Sequence, residues 1–524
     1  MSGLKKTVLA ASSVSAVLLL SKILGFVREV IIARYFGASL EVDAYQIATI
    51  IPLILFNLIF LNAISTVIVP LYTEIKQSKG EKTAGDFINN LASFIILVSL
   101  GILITGILSK SLLVKLVAPG FSGDKYLLTV QLTTIMFPMI VISAITGVGT
   151  GLLNANRVFW VATLIGVPQN IVIIITVVLL SKTQGIYSLA IGTLLGVGGQ
   201  LLLVLPWMIR YGYRPRFLPD FKDVNMFKGL KMAGPVIIGS AVYYAGIVVD
   251  RIMASGLPDG SIAALNYAFK LNTFVVGIFI SAVYLVSLQS LSVLVSKKDY
   301  AGFKDAVGEN ICLMGILIIP MVAGLFVLRE QIITVLFKGG SFDEIAVQRT
   351  ASALGFYSLG LVGISIRDIL NSSFYALKDT KSPTINAVIA VILNIVLNLL
   401  LIKKIGHTGL ALSTSISATV LSLLLFRKIR TKIGSIDEKR MLVTYGKCGA
   451  AAFIMGCFAH VIHIFLATLP LSPSLVLVVT IFFSALIYFF LVYIFGVDEL
   501  VKFKLFLYAK IFKKFHLRGK RGAI

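Results

Sequence analysis

Charged residues are scarce in this sequence, and cysteine and histidine are scarcer still. Only 13% of the 524 residues are Asp, Glu, Lys or Arg, whereas 58% are hydrophobic and the mean hydropathy is +0.97. Apolar runs of about 20 residues recur along the chain, which is the length that a helix needs to cross the hydrocarbon of a bilayer. The composition therefore excludes a soluble protein and predicts a membrane protein with many spans.

Motifs of catalysis and of metal binding are also missing. Cys312, Cys448 and Cys457 are scattered through apolar segments without metal or redox spacing. His460 and His463 are three residues apart, but no carboxylate accompanies them. No glycine-rich stretch ends in Gly-Lys-Ser/Thr, so the sequence has no P-loop for ATP hydrolysis. We therefore expect neither an enzyme nor a bound cofactor.

Acidic residues are outnumbered by basic ones, 23 against 47, which gives a net charge of +24. The basic residues concentrate in loops between apolar runs and in the tail 502–521, a placement typical of cytoplasmic loops rather than of nucleic-acid binding. We therefore predict no nucleic-acid partner, and both termini in the cytoplasm. Lys5 and Lys6 precede an apolar run as in a signal peptide, but without a convincing cleavage site, so a retained first helix is expected. The basic tail serves either to contact anionic headgroups or only to orient the chain.

The apolar runs predict an all-α, polytopic membrane protein of about fourteen transmembrane helices. The predicted helices span residues 7–34, 44–71, 84–109, 126–153, 160–181, 185–209, 228–256, 261–296, 303–327, 346–377, 383–402, 406–428, 442–468 and 474–495.

An internal repeat relates two groups of six helices. The stretch 185–193 matches 406–414 at an offset of 221 residues, and the Asn-Ile-Val at Asn170 matches that at Asn394 at an offset of 224. Because six is even, both halves keep the same orientation and relate by an axis along the membrane normal. We predict lobes at 1–210 and 211–430, followed by two extra helices and a basic tail at 431–524. Two facing bundles of this kind indicate an alternating-access transporter.

Charge lies unexpectedly inside the first two apolar segments. Lys22, Arg28, Glu29, Arg34 and Asp43 all fall in or beside these segments. A charge within a bilayer is costly and usually faces a water-filled cavity or a partner. The alternative is anchoring at the headgroups, where long basic side chains snorkel. We favour anchoring for Arg34 and a cavity for Lys22 and Arg28, and we take all five residues as candidates for binding the substrate.

Lys270 in the eighth predicted helix extends the cationic group. It has no acidic neighbour in sequence and occupies the repeat position that faces the charges of helix one. Together with Lys22 and Arg28 it predicts a cationic site suited to an anionic substrate, above all a phosphate. The adjacent pair Arg367-Asp368 is interpreted as packing between helices, because adjacent helical residues point about 100° apart and do not pair neatly.

A second polar group offers oxygen ligands. Asn394 and Asn398 are four residues apart and therefore share a helix face, Thr414 follows in the next helix, and Asp250 lies in helix seven. One carboxylate with amide and hydroxyl oxygens suits Na⁺, or a proton site at Asp250. The alternative is that both asparagines only hydrogen-bond neighbouring helices.

The chain resembles the lipid II flippase family (MurJ, also called MviN) of the multidrug/oligosaccharidyl-lipid/polysaccharide exporter superfamily. The resemblance covers nearly the full length and rests on five stretches, namely 24–29 (LGFVRE), 36–44 (FGA and DA), 118–121 (APGF), 152–154 (LLN) and 374–380 (FYALKDT). It implies two six-helix lobes, a central cationic cavity, and a groove by the last two helices for a polyprenyl tail. It also implies movement of a lipid-linked peptidoglycan precursor, lipid II on undecaprenyl pyrophosphate, from the inner to the outer leaflet. Arg28 and Asp43 keep the family pattern.

Three departures from the family bear on the substrate. The family often has Arg where this chain has Lys22 and Lys270, and commonly an Arg pair where this chain has Phe56-Asn57. Lys supplies a point charge without the planar fork of Arg. Alternatives are therefore a flippase for another lipid-linked glycan and, less favoured, a drug/cation antiporter. We expect a bacterial inner-membrane location, a lipid-linked glycan pyrophosphate and membrane lipids as ligands, cell-wall synthesis proteins as candidate partners, and coupling to Na⁺ or H⁺ and the membrane potential.

Overall fold

The computed structural model describes residues 2–214 and 219–497, and within these ranges the chain is almost entirely α-helical. The only β-type pairing in them is an isolated bridge between Gly339 and Phe342. The helices, in chain order, are α1 (Ser2–Phe36), α2 (Leu40–Phe56), α3 (Asn62–Leu108), α4 (Lys110–Val117), α5 (Gly123–Met136), α6 (Met139–Ala155), α7 (Phe159–Leu164), α8 (Gly166–Gln184), α9 (Tyr187–Arg210), α10 (Val224–Ser255), α11 (Ser261–Val275), α12 (Ser281–Ser296), α13 (Tyr300–Val327), α14 (Arg329–Phe337), α15 (Glu344–Ala376), α16 (Lys381–Ile405), α17 (His407–Ile433), α18 (Glu438–Ala467) and α19 (Pro473–Ile494).

All fourteen predicted segments fall on helices, but several are broken or joined in ways that the sequence did not predict. Pro138 separates α5 from α6, and their axes differ by 40°. The predicted segments 44–71 and 84–109 are joined in α3, where Gly80 alone leaves helical geometry with φ 87° and ψ 171°. The short helices α4 and α14 were not predicted, and they follow the third helix of each half of the repeat.

Two π-helical turns interrupt corresponding helices in the two halves. Asn57–Leu61 lies between α2 and α3, and Val276–Ile280 lies between α11 and α12. They begin 219 residues apart, close to the offset of the repeat. A π-helical turn inserts an extra residue into a helix and is often found at functional sites. The break lies in the second helix of each six-helix set.

Nine described helices are long and apolar enough to cross a membrane, or ten if the bent pair α5–α6 is one span. Helices interrupted by π-helical turns, such as α2 and α11, are too short to be counted alone. The predicted number of fourteen spans therefore remains a prediction.

The chain divides into two compact units. The first comprises Met1–Lys270, Phe337–Arg349 and Ile395–Leu410, and the second comprises Leu271–Leu336, Thr350–Asn394 and Ala411–Ile524, as ranges that include the residues outside the description. These units do not coincide with the predicted lobes, because α10 and the start of α11 group with the first unit. The predicted boundaries at 210 and 430 are not decided by this division. The basic tail at 502–521 lies outside the described residues.

The stretch around Asp379 forms the turn between α15 and α16. Its Oδ1 accepts a hydrogen bond from Ser382 N (2.9 Å), and its Oδ2 accepts from Ser382 Oγ (2.6 Å) and Lys432 Nζ (2.5 Å). Burial favours a higher pKa for the Asp379 carboxyl, but the hydrogen bonds from Lys432 and Ser382 outweigh it and hold this pKa well below its usual range. The turn places Lys378 in the left-handed region with φ 58°, as Arg157 is placed 221 residues earlier with φ 62°. The stretch 374–380, on which the family resemblance partly rests, thus stabilises the turn between α15 and α16.

Candidate functional site

A buried ion cluster lies on α1 in the first unit. Arg28 Nη2 donates to Glu29 Oε1 at 2.5 Å, and Arg28 Nη1 donates to Asn170 Oδ1 on α8 at 3.0 Å. Asn170 Nδ2 in turn donates to the carbonyl oxygen of Ser21, at 3.3 Å. The side chain of Glu29 is 5% exposed and that of Arg28 is 18% exposed. The amide of Asn170 therefore fixes one edge of a guanidinium that a neighbouring carboxylate already neutralises.

Lys270 on α11 approaches the same carboxylate. Its Nζ lies 3.9 Å from Glu29 Oε1, and its side chain is 44% exposed. Glu29 thus lies close to two cations, and at 3.9 Å the second contact is a loose ion pair rather than a short hydrogen bond. Two positive charges face one negative charge, so the cluster keeps a net positive charge. Lys270 is its accessible member.

Two orphaned polar atoms remain in the cluster. Arg28 Nε and Glu29 Oε2 are buried and have no hydrogen-bond partner among the described residues. Leaving buried polar atoms unpaired is unfavourable, and such atoms call for an explanation such as a ligand or water. The cluster therefore retains hydrogen-bonding capacity for a further polar group.

The expectation that adjacent residues on a helix do not pair is wrong for Arg367-Asp368 on α15. Arg367 Nη2 lies 2.7 Å from Asp368 Oδ1, and its Nε donates to the same oxygen at 2.9 Å. Arg28 and Glu29 pair in the same way. The long arginine side chain reaches around the helix despite the angle between neighbouring positions.

Asp43 on α2 is held by protein donors. Its Oδ2 accepts from Lys125 Nζ and from Gly260 N, both at 2.8 Å, and its Oδ1 accepts from Ala263 N at 2.8 Å. Lys125 Nζ also lies 2.8 Å from Asp259 Oδ1. The side chain of Asp43 is only 1% exposed. Because its carboxylate accepts from the backbone of Gly260 and Ala263, it caps the first turn of α11 and orients the helix that carries Lys270. Its predicted contact with substrate remains a prediction.

The turn between α1 and α2 is closely packed against backbone. A Cβ on Gly37 (φ 67°) would lie 2.3 Å from the carbonyl oxygen of Ser341, and a Cβ on Gly340 would lie 2.1 Å from that of Arg34. Ser341 N donates to the Arg34 carbonyl at 2.8 Å. The Arg34 backbone is thus fixed, while its side chain is exposed at the end of α1. Its anchoring at the headgroups remains a prediction. Lys22 lies further back on α1 and is partly exposed.

The structure brings together two of the four residues predicted as an ion site. Asn398 Nδ2 donates to Asp250 Oδ1 at 2.6 Å, within the first unit. Asn394 on α16 and Thr414 on α17 belong to the second unit. A metal site there remains a prediction, and no cluster of three or more His, Cys, Asp or Glu occurs in residues 2–214 and 219–497.

Two apolar cavities lie in the second unit beside α18 and α19. One, of about 730 Å³, is lined by α13, α15 and α18, including Phe326, Gly449 and Phe453. The other, of about 420 Å³, is lined by α13, α18 and α19, including Tyr488. The hydroxyl of Tyr488 donates to the Ile316 carbonyl at 2.9 Å and ties α19 to α13. Apolar walls of this kind suit hydrocarbon chains.

Sequence reasoning missed Asn170, Lys125 and Asp259 as parts of the site. Asn170 was recognised only as a marker of the repeat, although an amide in an otherwise apolar helix is itself a signal of a buried partner. Lys125 lies in the first turn of α5 and Asp259 in the turn between α10 and α11, where charge is unremarkable. Lys125 pairs with both acids, and it is 82 residues from Asp43 and 134 residues from Asp259, so local spacing carried no signal.

The described residues are almost entirely helical, nine or ten of their helices are apolar enough to cross a membrane, and α1 and α11 carry a net positive ion cluster. These are the features of a multi-pass membrane transporter. The sequence model of one family, described as "Lipid II flippase MurJ", matches residues 32–494. The chain therefore belongs to the MurJ family.

Individual relatives agree with this assignment. The chain is 32% identical over 473 residues to the "Probable lipid II flippase MurJ" of Buchnera aphidicola subsp. Acyrthosiphon pisum, with 89% of each chain covered. It is 30% identical to the "Lipid II flippase MurJ" of Burkholderia cenocepacia, over 81% of this chain and 84% of the relative. A solved structure of "Lipid II flippase MurJ, inward closed conformation" matches with a TM-score of 0.80 and 28% identity, over 93% of this chain and 99% of that one. A multidrug resistance MATE family transporter matches with a TM-score of 0.68 at 13% identity, which shows the shared fold alone.

Proposed function

We propose that this protein is a flippase for lipid II, the undecaprenyl-pyrophosphate-linked precursor of peptidoglycan, and that it moves this lipid from the inner to the outer leaflet. Membership of the MurJ family supports the substrate class. The observation that carries the proposal is the cluster of Arg28, Glu29 and Lys270, in which two cations share one buried carboxylate. A pyrophosphate carries more negative charge than Glu29 and compensates the excess positive charge.

A pyrophosphate can bind by competing with Glu29 for the two cations Arg28 and Lys270. In the absence of substrate, Glu29 neutralises Arg28 and draws Lys270 to within 3.9 Å. A pyrophosphate entering beside Lys270 competes for both cations, and the orphaned Arg28 Nε offers a further donor. Asn170 keeps one edge of the guanidinium in place during this exchange. Lys22 supplies a third cation on the same helix, and rocking of two predicted lobes then exposes the site alternately.

The lipid tail requires separate surroundings. A long isoprenoid chain does not enter a charged chamber favourably, because it would take solvation away from the charges. The apolar cavities along α18 and α19 provide such surroundings in the second unit. We therefore assign the headgroup to the charged cluster and the tail to these cavities.

Rescue of cells depleted of their own lipid II flippase tests the function. The wild-type chain restores growth, whereas Arg28→Ala combined with Lys270→Ala abolishes rescue at normal membrane levels. Lys22→Arg and Lys270→Arg keep their charges and retain rescue, because a pyrophosphate binds either cation. Membrane levels of every variant are measured by immunoblot. Normal growth with the double alanine variant would overturn the role of the cluster.

A second candidate is a flippase for another lipid-linked glycan. The residues Phe56-Asn57, in place of a charged pair, favour it because a less cationic cavity changes the contacts with the glycan. Failure of the wild-type chain to rescue, together with transport of a capsule or teichoic acid precursor in liposomes, would establish this alternative.

We place the protein in the bacterial inner membrane with both termini in the cytoplasm, on the distribution of Lys and Arg. We infer coupling to Na⁺ or H⁺ through Asp250 and Asn398, and to the membrane potential through the charge of the site. Cell-wall synthesis proteins are the candidate protein partners.

A further inference from the structure

A polar cavity of about 310 Å³ lies in the first unit, away from the ion cluster on α1. Its walls come from the two sides of the bend in α3 and from the end of α9 with the residues that follow. The lining includes the basic residues Lys76, Lys82, Arg210 and Arg214. Neither the repeat nor the proposed flippase site accounts for it.

The charge of this cavity is positive after internal pairing. Lys76 Nζ lies 2.9 Å from Glu81 Oε1, so these two neutralise each other. The remaining three basic residues form no ion pair with the described residues and face a single acid, Asp86. An excess of two positive charges attracts an anion, and the guanidinium groups of Arg210 and Arg214 suit the geometry of a phosphate.

The cavity has a fixed framework. Asn89 Oδ1 accepts from Arg214 N at 2.7 Å, and Asn89 Nδ2 donates to the Gly212 carbonyl at 3.4 Å. Gly212 has φ 95°, and its backbone packs on Gly85, where a Cβ would lie 3.2 Å from the Gly212 carbonyl oxygen. The segment after α9 is therefore docked on α3 by backbone contacts. Its basic side chains are consequently held beside those of α3.

Two tryptophans beside this cavity indicate a position at the membrane interface. The chain has two tryptophans, Trp160 and Trp207, and their rings pack edge to face with centroids 5.4 Å apart. The guanidinium carbon of Arg210 lies 5.6 Å from the Trp207 ring centre. Tryptophan concentrates at the level of the headgroups because its ring is apolar and its N–H is polar. Arg210 thus connects the cavity directly to an interfacial aromatic pair.

We propose that this cavity binds the phosphate-bearing headgroup of an anionic membrane lipid. The acyl chains of that lipid then lie along the exposed face of Trp160. The phosphate is held by Arg210, Arg214 and Lys82, and the phenols of Tyr72 and Tyr211, which also line the cavity, donate hydrogen bonds.

The two tryptophans allow a direct test on the full-length protein in nanodiscs. Tryptophan fluorescence is measured in phosphatidylcholine nanodiscs that contain a minor fraction of brominated phosphatidylglycerol, and again with the same fraction of brominated phosphatidylcholine. Bromine quenches only at short range, so the ratio of the two quenching values reports anionic lipid beside Trp160 and Trp207. Each variant is normalised to its fluorescence in unbrominated lipid, because Arg210 itself lies against Trp207.

We expect stronger quenching by the anionic lipid in the wild-type protein and its loss in Lys82→Gln/Arg210→Gln. Each basic residue removed lowers local occupancy by about fivefold, from the usual attraction of one cation for an anionic lipid surface. The matched control is Lys79→Gln/Arg427→Gln, which removes the same charge from exposed residues that do not line the cavity. Arg214→Gln keeps the backbone hydrogen bond to Asn89 and serves as a milder second variant.

Each outcome decides the proposal. Selective loss in the cavity variants supports it. Equal quenching by both lipids in the wild-type protein, or an equal loss in the control, overturns it, since the latter shows only general attraction. Inorganic phosphate at millimolar concentration distinguishes the source of the ligand. If it reverses the quenching fully, the cavity binds soluble phosphate and the assignment to a lipid is wrong.

Discussion

At the scale of single residues, the cluster on α1 shows how a charge is kept in an apolar helix. Arg28 is bound by an adjacent carboxylate and by an amide that is 142 residues away in sequence. The charge and its approximate place followed from the sequence, because charge inside an apolar run is conspicuous. The partner Asn170 did not, because the packing of α1 on α8 selects it and no local spacing encodes that packing.

Removal of the amide should weaken the site without removing charge. We expect Asn170→Ala to lower rescue of flippase-depleted cells markedly, because a hydrogen bond to a charged group contributes about 1.5–3 kcal/mol. That corresponds to roughly a 10- to 150-fold loss in occupancy of the correct Arg28 geometry. Growth rate and lipid II flipping in proteoliposomes measure the effect.

The control for this variant is its neighbour on α8. Gln169→Ala removes a similar amide, whose Oε1 accepts from Gln200 Nε2 at 2.8 Å rather than from a charged group. Full activity of Asn170→Ala, or an equal loss in Gln169→Ala, would contradict a specific role for Asn170.

At the scale of helices, the sequence predicted where helices exist but not where they break. Apolar runs locate each segment, since burial in lipid needs length and apolar composition alone. The bend at Gly80 and the π-helical turns depend on how neighbouring helices pack, and none of them needs proline. Proline alone does not predict where a helix breaks, because Pro52 and Pro320 lie within continuous helices whereas Pro138 separates two helices.

Gly449 offers a position from which a larger side chain can be directed into the apolar cavity beside α18. A Cβ on Gly449 meets nothing within 4 Å, and Gly449 lines the 730 Å³ cavity. We expect Gly449→Trp to reduce flipping of substrates with long isoprenoid tails by about tenfold or more, while analogues with short tails are still moved, since a filled cavity excludes buried hydrocarbon worth about 0.8 kcal/mol per CH₂. Flipping in proteoliposomes with both substrates provides the measurement.

Gly446→Trp is the matched control for this helix. Gly446 also has open space at its Cβ, but it lines neither apolar cavity. Equal loss with long and short tails in Gly449→Trp would mean that the cavity does not hold the tail.

At the scale of the whole molecule, family membership and the all-helical fold agree with the sequence-based interpretation, whereas the lobe boundaries remain predictions. The repeat revealed two sets of six helices because matching motifs recur at nearly constant spacing. The compact units follow contacts instead, and α10 belongs to the first unit because it packs on α3. The predicted lobes rest on sequence similarity between the two halves, whereas the compact units rest on contacts between helices. The two divisions therefore need not have the same boundaries.

Energy coupling is a property of the whole transporter. One charge moved through 100 mV gains about 2.3 kcal/mol, enough to bias a conformational equilibrium by tens of fold. We expect lipid II flipping in liposomes to respond to an imposed Na⁺ or proton gradient, and Asp250→Asn to abolish that response. The response is measured with each gradient imposed separately.

Asp368→Asn is the control for coupling, because it removes an acid whose partner is the adjacent Arg367. A gradient response that survives Asp250→Asn would show that the bond from Asn398 to Asp250 only joins helices.

The hydrogen bonds of Asp43 also have a consequence for the order of folding during synthesis. The backbone donors of Gly260 and Ala263 lie 217 and 220 residues after Asp43 in the chain. The Arg34 carbonyl likewise accepts from Ser341 N, which is made still later. At about 5–20 residues per second, the ribosome needs about 10–45 s to make the segment that separates Asp43 from its donors. Throughout that interval the carboxylate has at most Lys125 as its ionic partner. The turn between α1 and α2 is therefore made early, but it receives these contacts only after more than 200 further residues have been added.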